Sequence, residues 1–113
     1  MEKPGFNFVR TYRQRKALTQ SELAFLISRS QTTVSSMEYD DTAPYLDAAL
    51  ALQVLFRLQP KDMFPDYYEK VEDAVMGRAA ELIRKLEGGT DRRSFAKLEF
   101  LESLAREDND ISL

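Results

Sequence analysis

Gln20 and the stretch Gln31–Ser36 carry the side chains with most to offer chemically: two primary amides and the hydroxyls of Thr32, Thr33, Ser35 and Ser36. An amide donates and accepts at once, so a Gln can bond an adenine edge bidentately. A Ser or Thr hydroxyl can bond either kind of partner or touch a thymine methyl. Such a set suits reading a polar surface better than catalysis. The chain has no His and no Cys, which removes the commonest general base, the commonest metal ligand and every thiolate nucleophile or disulfide. The carboxylate pairs Asp40-Asp41 and Glu72-Asp73 have no convergent partners and read as solvated surface. The expectation is a non-enzyme without metal or cofactor.

The elements that hold these residues read as helices throughout. With 113 residues, 43% apolar and 31% charged, the chain is a soluble globular type with one modest core. Asn7 can cap a first helix carrying Phe8, Val9 and Tyr12. Thr19-Gln20-Ser21-Glu22 matches a capping box, followed by Leu23, Ala24, Leu26 and Ile27 as a buried face. Ser30 can cap a second short helix that turns Val34 and Met37 inward. Asp40–Pro44 is a loop by turn chemistry. A fourth helix, from about Tyr45 to Phe56, has its apolar stripe at Leu46, Ala49, Leu50, Leu52 and Leu55. Pro60 suits the start of a fifth, ending near Met63-Phe64, and Pro65 is a natural boundary.

Two short helices joined by a tight turn, preceded by one helix and followed by two, are the parts of a helix-turn-helix module. A major groove admits one helix, and the exposed N-terminal half of that helix reads base edges. Here that helix presents Gln31, Thr32, Ser35 and Ser36. Gln20 stands at the N-terminus of the preceding helix, where backbone amides and dipole favour a phosphate.

Leu18-Thr19-Gln20-Ser21-Glu22-Leu23-Ala24 resembles the LTQxELA signature of Cro/CI-type, lambda-repressor-like regulators. The gapless resemblance continues through Ser30, Thr33-Val34-Ser35, Met37-Glu38, Pro44, Leu46, Ala49, Leu50, Leu52 and Asp62-Met63-Phe64, covering about residues 8–64. It implies an all-α, five-helix DNA-binding domain over 6–64 in which Gln20, Gln31, Thr32 and Ser36 meet bases or phosphates of double-stranded DNA; Ser21, Arg29, Thr33 and Ser35 beside them complete the expected DNA-binding set. It also implies a structural ion pair between Arg13 and Glu38. The family's usual glycines correspond to Ala17, Ser28 and Arg57, so these turns are expected to manage without the left-handed conformation that glycine adopts easily. Arg29 replaces the family's apolar residue after the second glycine and could reach a phosphate. The loop after the reading helix, often basic in the family, holds Asp40 and Asp41, and the helix itself has no Lys or Arg. Both features predict modest non-specific affinity.

Residues 66–106 read as an extension of one long and one shorter helix, and 107–113 as a frayed acidic tail. The long helix carries a stripe of Val71, Ala74, Val75, Ala79, Leu82, Ile83 and Leu86. Gly88-Gly89 ends it, and Thr90 or Asp91 starts the last helix. There Phe95, Leu98, Leu101 and Ala105 form one stripe while Phe100 and Leu104 point elsewhere. A helix apolar on more than one side needs more than one cover. The expectation is a homodimer interface through Val75, Leu82, Phe95, Leu98, Phe100, Leu101 and Leu104, setting two reading helices about one DNA turn apart on a palindrome.

Charge divides unevenly. Residues 1–64 hold eight Lys/Arg against seven Asp/Glu, and residues 65–113 eight against twelve. The acidic second half favours an alternative, an antitoxin-like or adaptor module that grips a protein partner through these C-terminal helices. No membrane partner is expected, because no apolar run spans a bilayer and Met1-Glu2-Lys3-Pro4 lacks a signal peptide's apolar stretch, which places the chain in the cytoplasm by default.

Overall fold

The computed structural model describes residues 7–40 and 42–111, with side-chain surroundings as far as Arg106. Phe6, where the first domain is expected to begin, and Asp41 of the acidic loop lie outside the described residues. Among those described, every regular element is α-helical: α1 Val9–Arg15, α2 Gln20–Leu26, α3 Gln31–Asp40, α4 Leu46–Phe56, α5 Pro60–Met63, α6 Pro65–Leu86 and α7 Arg92–Ile111. None is long and apolar enough to cross a membrane.

Local chemistry sets the helix starts. Asn7 Oδ1 accepts from the Val9 N–H at 3.1 Å, one residue ahead of the capping position, while its Nδ2 donates 2.8 Å to the Met37 carbonyl and ties α1 to α3. The capping box of α2 is complete: Thr19 Oγ1 accepts from the Glu22 N–H at 3.0 Å and Glu22 Oε1 from the Thr19 N–H at 2.9 Å. Ser30 Oγ accepts from the Thr33 N–H at 3.1 Å and so caps α3. Pro60 opens α5 and Pro65 opens α6, where a missing N–H costs nothing.

Three of the helix ends overturn an expectation about backbone. α1 and α2 both close in Schellman turns. Leu18 N–H donates to the Arg13 carbonyl and Ala17 N–H to Gln14; Arg29 N–H donates to Ala24 and Ser28 N–H to Phe25. The residue after each helix cap must then be left-handed, and Ala17 (φ 57°) and Ser28 (φ 58°) take that conformation, as does Arg57 (φ 60°) at the end of α4. These turns do not avoid the left-handed region for want of glycine. They enter it, and a side chain there costs about 1–2 kcal/mol each.

The chain divides into two compact units, Met1–Lys70 and Val71–Leu113, with the division inside α6. In the first, α2 packs on α3, α1 on α3 and α4 on α5. Val9, Leu23, Val34, Met37, Leu52 and Met63 are wholly enclosed, with Ala24, Ile27, Ala48, Phe56 and Phe64 completing the core. Leu26 is exposed rather than buried. On α4 the buried stripe is Ala48–Leu52–Phe56, flanked by Ala51 and Leu55; Leu46, at 74% exposure, and Leu50 lie on the solvent side. The phase is fixed by long-range packing, since the Phe56 ring lies 6.0 Å from that of Tyr12.

The second unit is covered sparingly. On α6 Ala79 is buried and Met76, Ile83 and Leu86 half-buried, whereas Val71, Ala74, Val75 and Leu82 are exposed. Gly88, in the left-handed region at φ 88°, follows the end of α6. Asp91 then precedes α7 and accepts from the Ser94 hydroxyl, which holds its carboxyl below the usual range. On α7 Leu101 is buried and Leu98 and Leu104 half-buried, while Phe95, Phe100 and Ala105 are exposed. The α7 backbone continues through Glu107–Asp110 to Ile111.

Candidate functional site

The foundation of the site is a buried ion pair. Arg13 of α1 donates from Nε to Glu38 Oε2 at 2.6 Å and from Nη2 to Oε1 at 3.1 Å, and its Nη1 donates 2.8 Å to the Leu18 carbonyl. The side chains are 11% and 0% exposed. Buried charges are tolerable only when paired and fully bonded, and here every nitrogen of the guanidinium has a partner. The hydrogen bond to Glu38 holds Arg13 above its ordinary pKa, with burial acting the other way.

Glu38 extends that order outward. Its Oε1 also accepts from Gln20 Nε2 at 3.1 Å. The Gln20 oxygen therefore faces away from the carboxylate and accepts from Gln31 Nε2 at 3.5 Å, the long end of hydrogen-bond range. Gln31 Oε1 in turn accepts from the Ser21 hydroxyl at 2.9 Å. A continuous polar chain runs from Arg13 through Glu38, Gln20 and Gln31 to Ser21. An amide whose two ends are both engaged cannot flip freely, so Gln31 keeps one outward N–H and one oxygen lone pair at a defined side.

The other expected residues fall into three groups. Gln31, Thr32 and Ser21 are exposed, and Ser35 and Ser36 are half-buried on α3. Thr33 is taken up by the cap, its hydroxyl 2.9 Å from Ser30 Oγ. Arg29 is engaged elsewhere: Nη2 donates to Asp47 Oδ1, Nη1 donates 3.2 Å to the Ser28 carbonyl, and the guanidinium lies 5.3 Å from the centre of the Tyr45 ring. Asp40 is exposed at the end of α3. Of the apolar set expected for self-association, Val75, Leu82, Phe95 and Phe100 are exposed by 45–62%, Leu98 and Leu104 are half-buried, and Leu101 is buried.

Three residues and one contact were not visible in the sequence. Asp47 and Tyr45 meet Arg29 across 18 and 16 positions, with the whole of α3 and a loop between them, so no pattern within one element brings them together. Glu38 was expected to pair with Arg13 but not to orient Gln20. The sign that could have found this is the excess of acceptors on a carboxylate, which one arginine does not exhaust. Phe25, exposed by 81% beside Leu26, was also unanticipated. Among the described residues no group of acidic side chains converges as a metal site would require. No family model matches this chain, and no curated protein or solved structure is detectably similar to it.

Proposed function

We propose that this chain is a sequence-specific DNA-binding transcriptional regulator of the Cro/CI-type kind, with a five-helix, lambda-repressor-like helix-turn-helix domain formed by α1–α5. α3 is the reading helix, and Gln31, Thr32, Ser35 and Ser36 meet base edges with Gln20 and Ser21 alongside. The observation that carries this reading is the polar chain from Arg13 to Ser21: through half-buried Gln20 it ties the exposed Gln31 amide at the start of α3 to a buried ion pair in the framework. Preorganised donors and acceptors suit readout, because little side-chain freedom remains to be lost on binding. Two further facts support it. The left-handed residues Ala17, Ser28 and Arg57 stand at the positions where the family usually has glycine, and the Arg13–Glu38 pair that the resemblance implies is formed.

The exposed apolar residues of α6 and α7 favour action as a homodimer on a palindromic site, most simply as a repressor. With no Lys or Arg on α3, one copy has little electrostatic hold on DNA, and pairing two copies compensates. Selection from random duplexes should enrich a short palindrome, and Gln31→Ala with Ser36→Ala should abolish that enrichment. No enrichment even at low salt would overturn the reading. The same exposed apolar and acidic second unit favours the adaptor reading instead, which would then take its place, with a protein rather than DNA as partner.

A further inference from the structure

We propose that Asp47 and Tyr45 act as a brake on DNA affinity by holding Arg29 in an intramolecular clamp; this rests on the DNA-binding reading. Arg29 is the only Lys or Arg between Lys16 and Arg57. It directly precedes Ser30, the cap of α3, and so adjoins Gln31 and Thr32, where a docked duplex would bring its phosphates. A free guanidinium there would be the natural phosphate ligand. The fold commits it to Asp47 and the Tyr45 ring instead.

The clamp is incomplete. Nη1 and Nη2 have acceptors, but Nε is buried without one. The cause lies in the turn. Arg29 is the second residue past the cap of α2, where a Schellman turn usually seats an apolar residue, as Leu18 does after α1. Asp47 is 73% exposed, so its hold is screened by water and weak. Once the side chain leaves Asp47 and turns outward, a phosphate can offer two oxygens to Nε and Nη2 together, the bidentate arrangement in which guanidinium binds most strongly. Phosphate and Asp47 therefore compete for one cation, and the unbound protein presents neutral chemistry at the start of α3.

The test measures binding to a random-sequence duplex about two helical turns long, by fluorescence anisotropy between about 50 and 200 mM salt. Four folded proteins are compared: wild type, Asp47→Ala, Arg29→Gln (which keeps the packing stem) and the double variant. Asp47→Ala is expected to tighten binding about 2–5-fold at low salt, given the weakness of exposed pairs, and to steepen the salt dependence by about 0.9 in log–log slope. In the Arg29→Gln background the same substitution should change neither. An equal gain in both backgrounds would overturn the brake alone, since Asp47 would then act only as a negative charge. No duplex binding by any of the four would overturn the DNA-binding reading and the brake with it.

Discussion

The two units have similar apolar content and both leave apolar side chains exposed, Phe25 and Leu46 in the first among them, but they differ in how completely they bury the rest. In the first, seven of the described side chains, drawn from α1–α5, are less than 2% exposed, and the buried charges of Arg13 and Glu38 are matched to each other. In the second, the two buried apolar residues among those described, Ala79 and Leu101, are each still 9% exposed, while Val75, Leu82, Phe95 and Phe100 face outward. Close packing is where specificity of structure comes from. A region that forgoes it on two helices keeps apolar area available for another surface. The contrast separates a rigid platform from a surface that awaits cover.

The largest effect should come from breaking the platform at its charge pair. Glu38→Ala leaves the Arg13 guanidinium buried and unpaired, at an expected loss of about 3–5 kcal/mol in urea unfolding. Arg13→Met with Glu38→Leu should recover most of that stability, because an apolar pair of similar volume escapes the desolvation cost. The double variant should nevertheless lose sequence preference for DNA, since nothing then orients Gln20. Recovery of both stability and preference would show that the chain from Arg13 to Ser21 does not preorganise the site.

The second unit should respond in another way. Val75→Ser with Leu82→Ser removes exposed apolar area, so the stability of a dilute sample should change by less than about 0.5 kcal/mol. If these faces pair, wild-type protein at about 100 times the dimer Kd gains about 2.7 kcal/mol from association. Its Tm then rises with concentration while that of the variant does not. Sedimentation should likewise give a dimer for wild type and a monomer for the variant. A wild type that is monomeric, with a Tm independent of concentration, removes the second copy as cover.

The same contrast explains how far the sequence could be read. Features settled within one turn of helix were legible: the Thr19–Glu22 capping box, the Ser30 cap, Val34 and Met37 facing inward, and Pro60 opening α5. Features settled by distant partners were not. α4 reads Leu-Asp-Ala-Ala-Leu-Ala-Leu-Gln-Val-Leu-Phe, apolar on nearly every side, so periodicity has no contrast with which to choose between Leu46–Leu50 and Ala48–Leu52. Tyr12 and the rest of the core choose for it. The clamp on Arg29 was hidden for the same reason. The left-handed turns were hidden for another: residue preference argues against Ala, Ser and Arg there, but the Schellman hydrogen bonds and the core contacts of Leu18 outweigh the local cost.

That local cost yields a smaller prediction, which strengthens the platform rather than breaking it. Ser28→Gly removes the left-handed penalty but adds freedom to the unfolded chain, so the net gain should be about 1 kcal/mol. Ala17→Gly should behave alike, and the two should add, because the turns share no partner. Gly88 offers the reverse test in the second unit: Gly88→Ala should destabilise by a similar amount at φ 88°. Paired thermal melts would check both signs. A neutral Ser28→Gly would mean that the turn relaxes out of the left-handed region.

The smallest effect concerns pH and again distinguishes the units by where their caps lie. Glu22 has its pKa lowered by the hydrogen bond from the Thr19 backbone, and Asp91 has its lowered by the Ser94 hydroxyl. For a carboxyl depressed in the folded state, the unfolded chain binds protons first as pH falls. The stabilisation is thus fully present above the ordinary carboxylate range and is lost progressively as pH drops through it toward the folded value. Both groups are fully exposed, so the loss is slight and screened by salt. Glu22→Gln should flatten the acid limb of the stability profile in the first unit, and Asp91→Asn should do so for the α7 end of the second. Helicity near Asp91 should fray over the same acid window while the enclosed core of the first unit persists, a difference that amide exchange at stepped pH would resolve. Simultaneous loss of protection in both units would mean that they unfold as one cooperative body, despite the unequal burial that sets them apart.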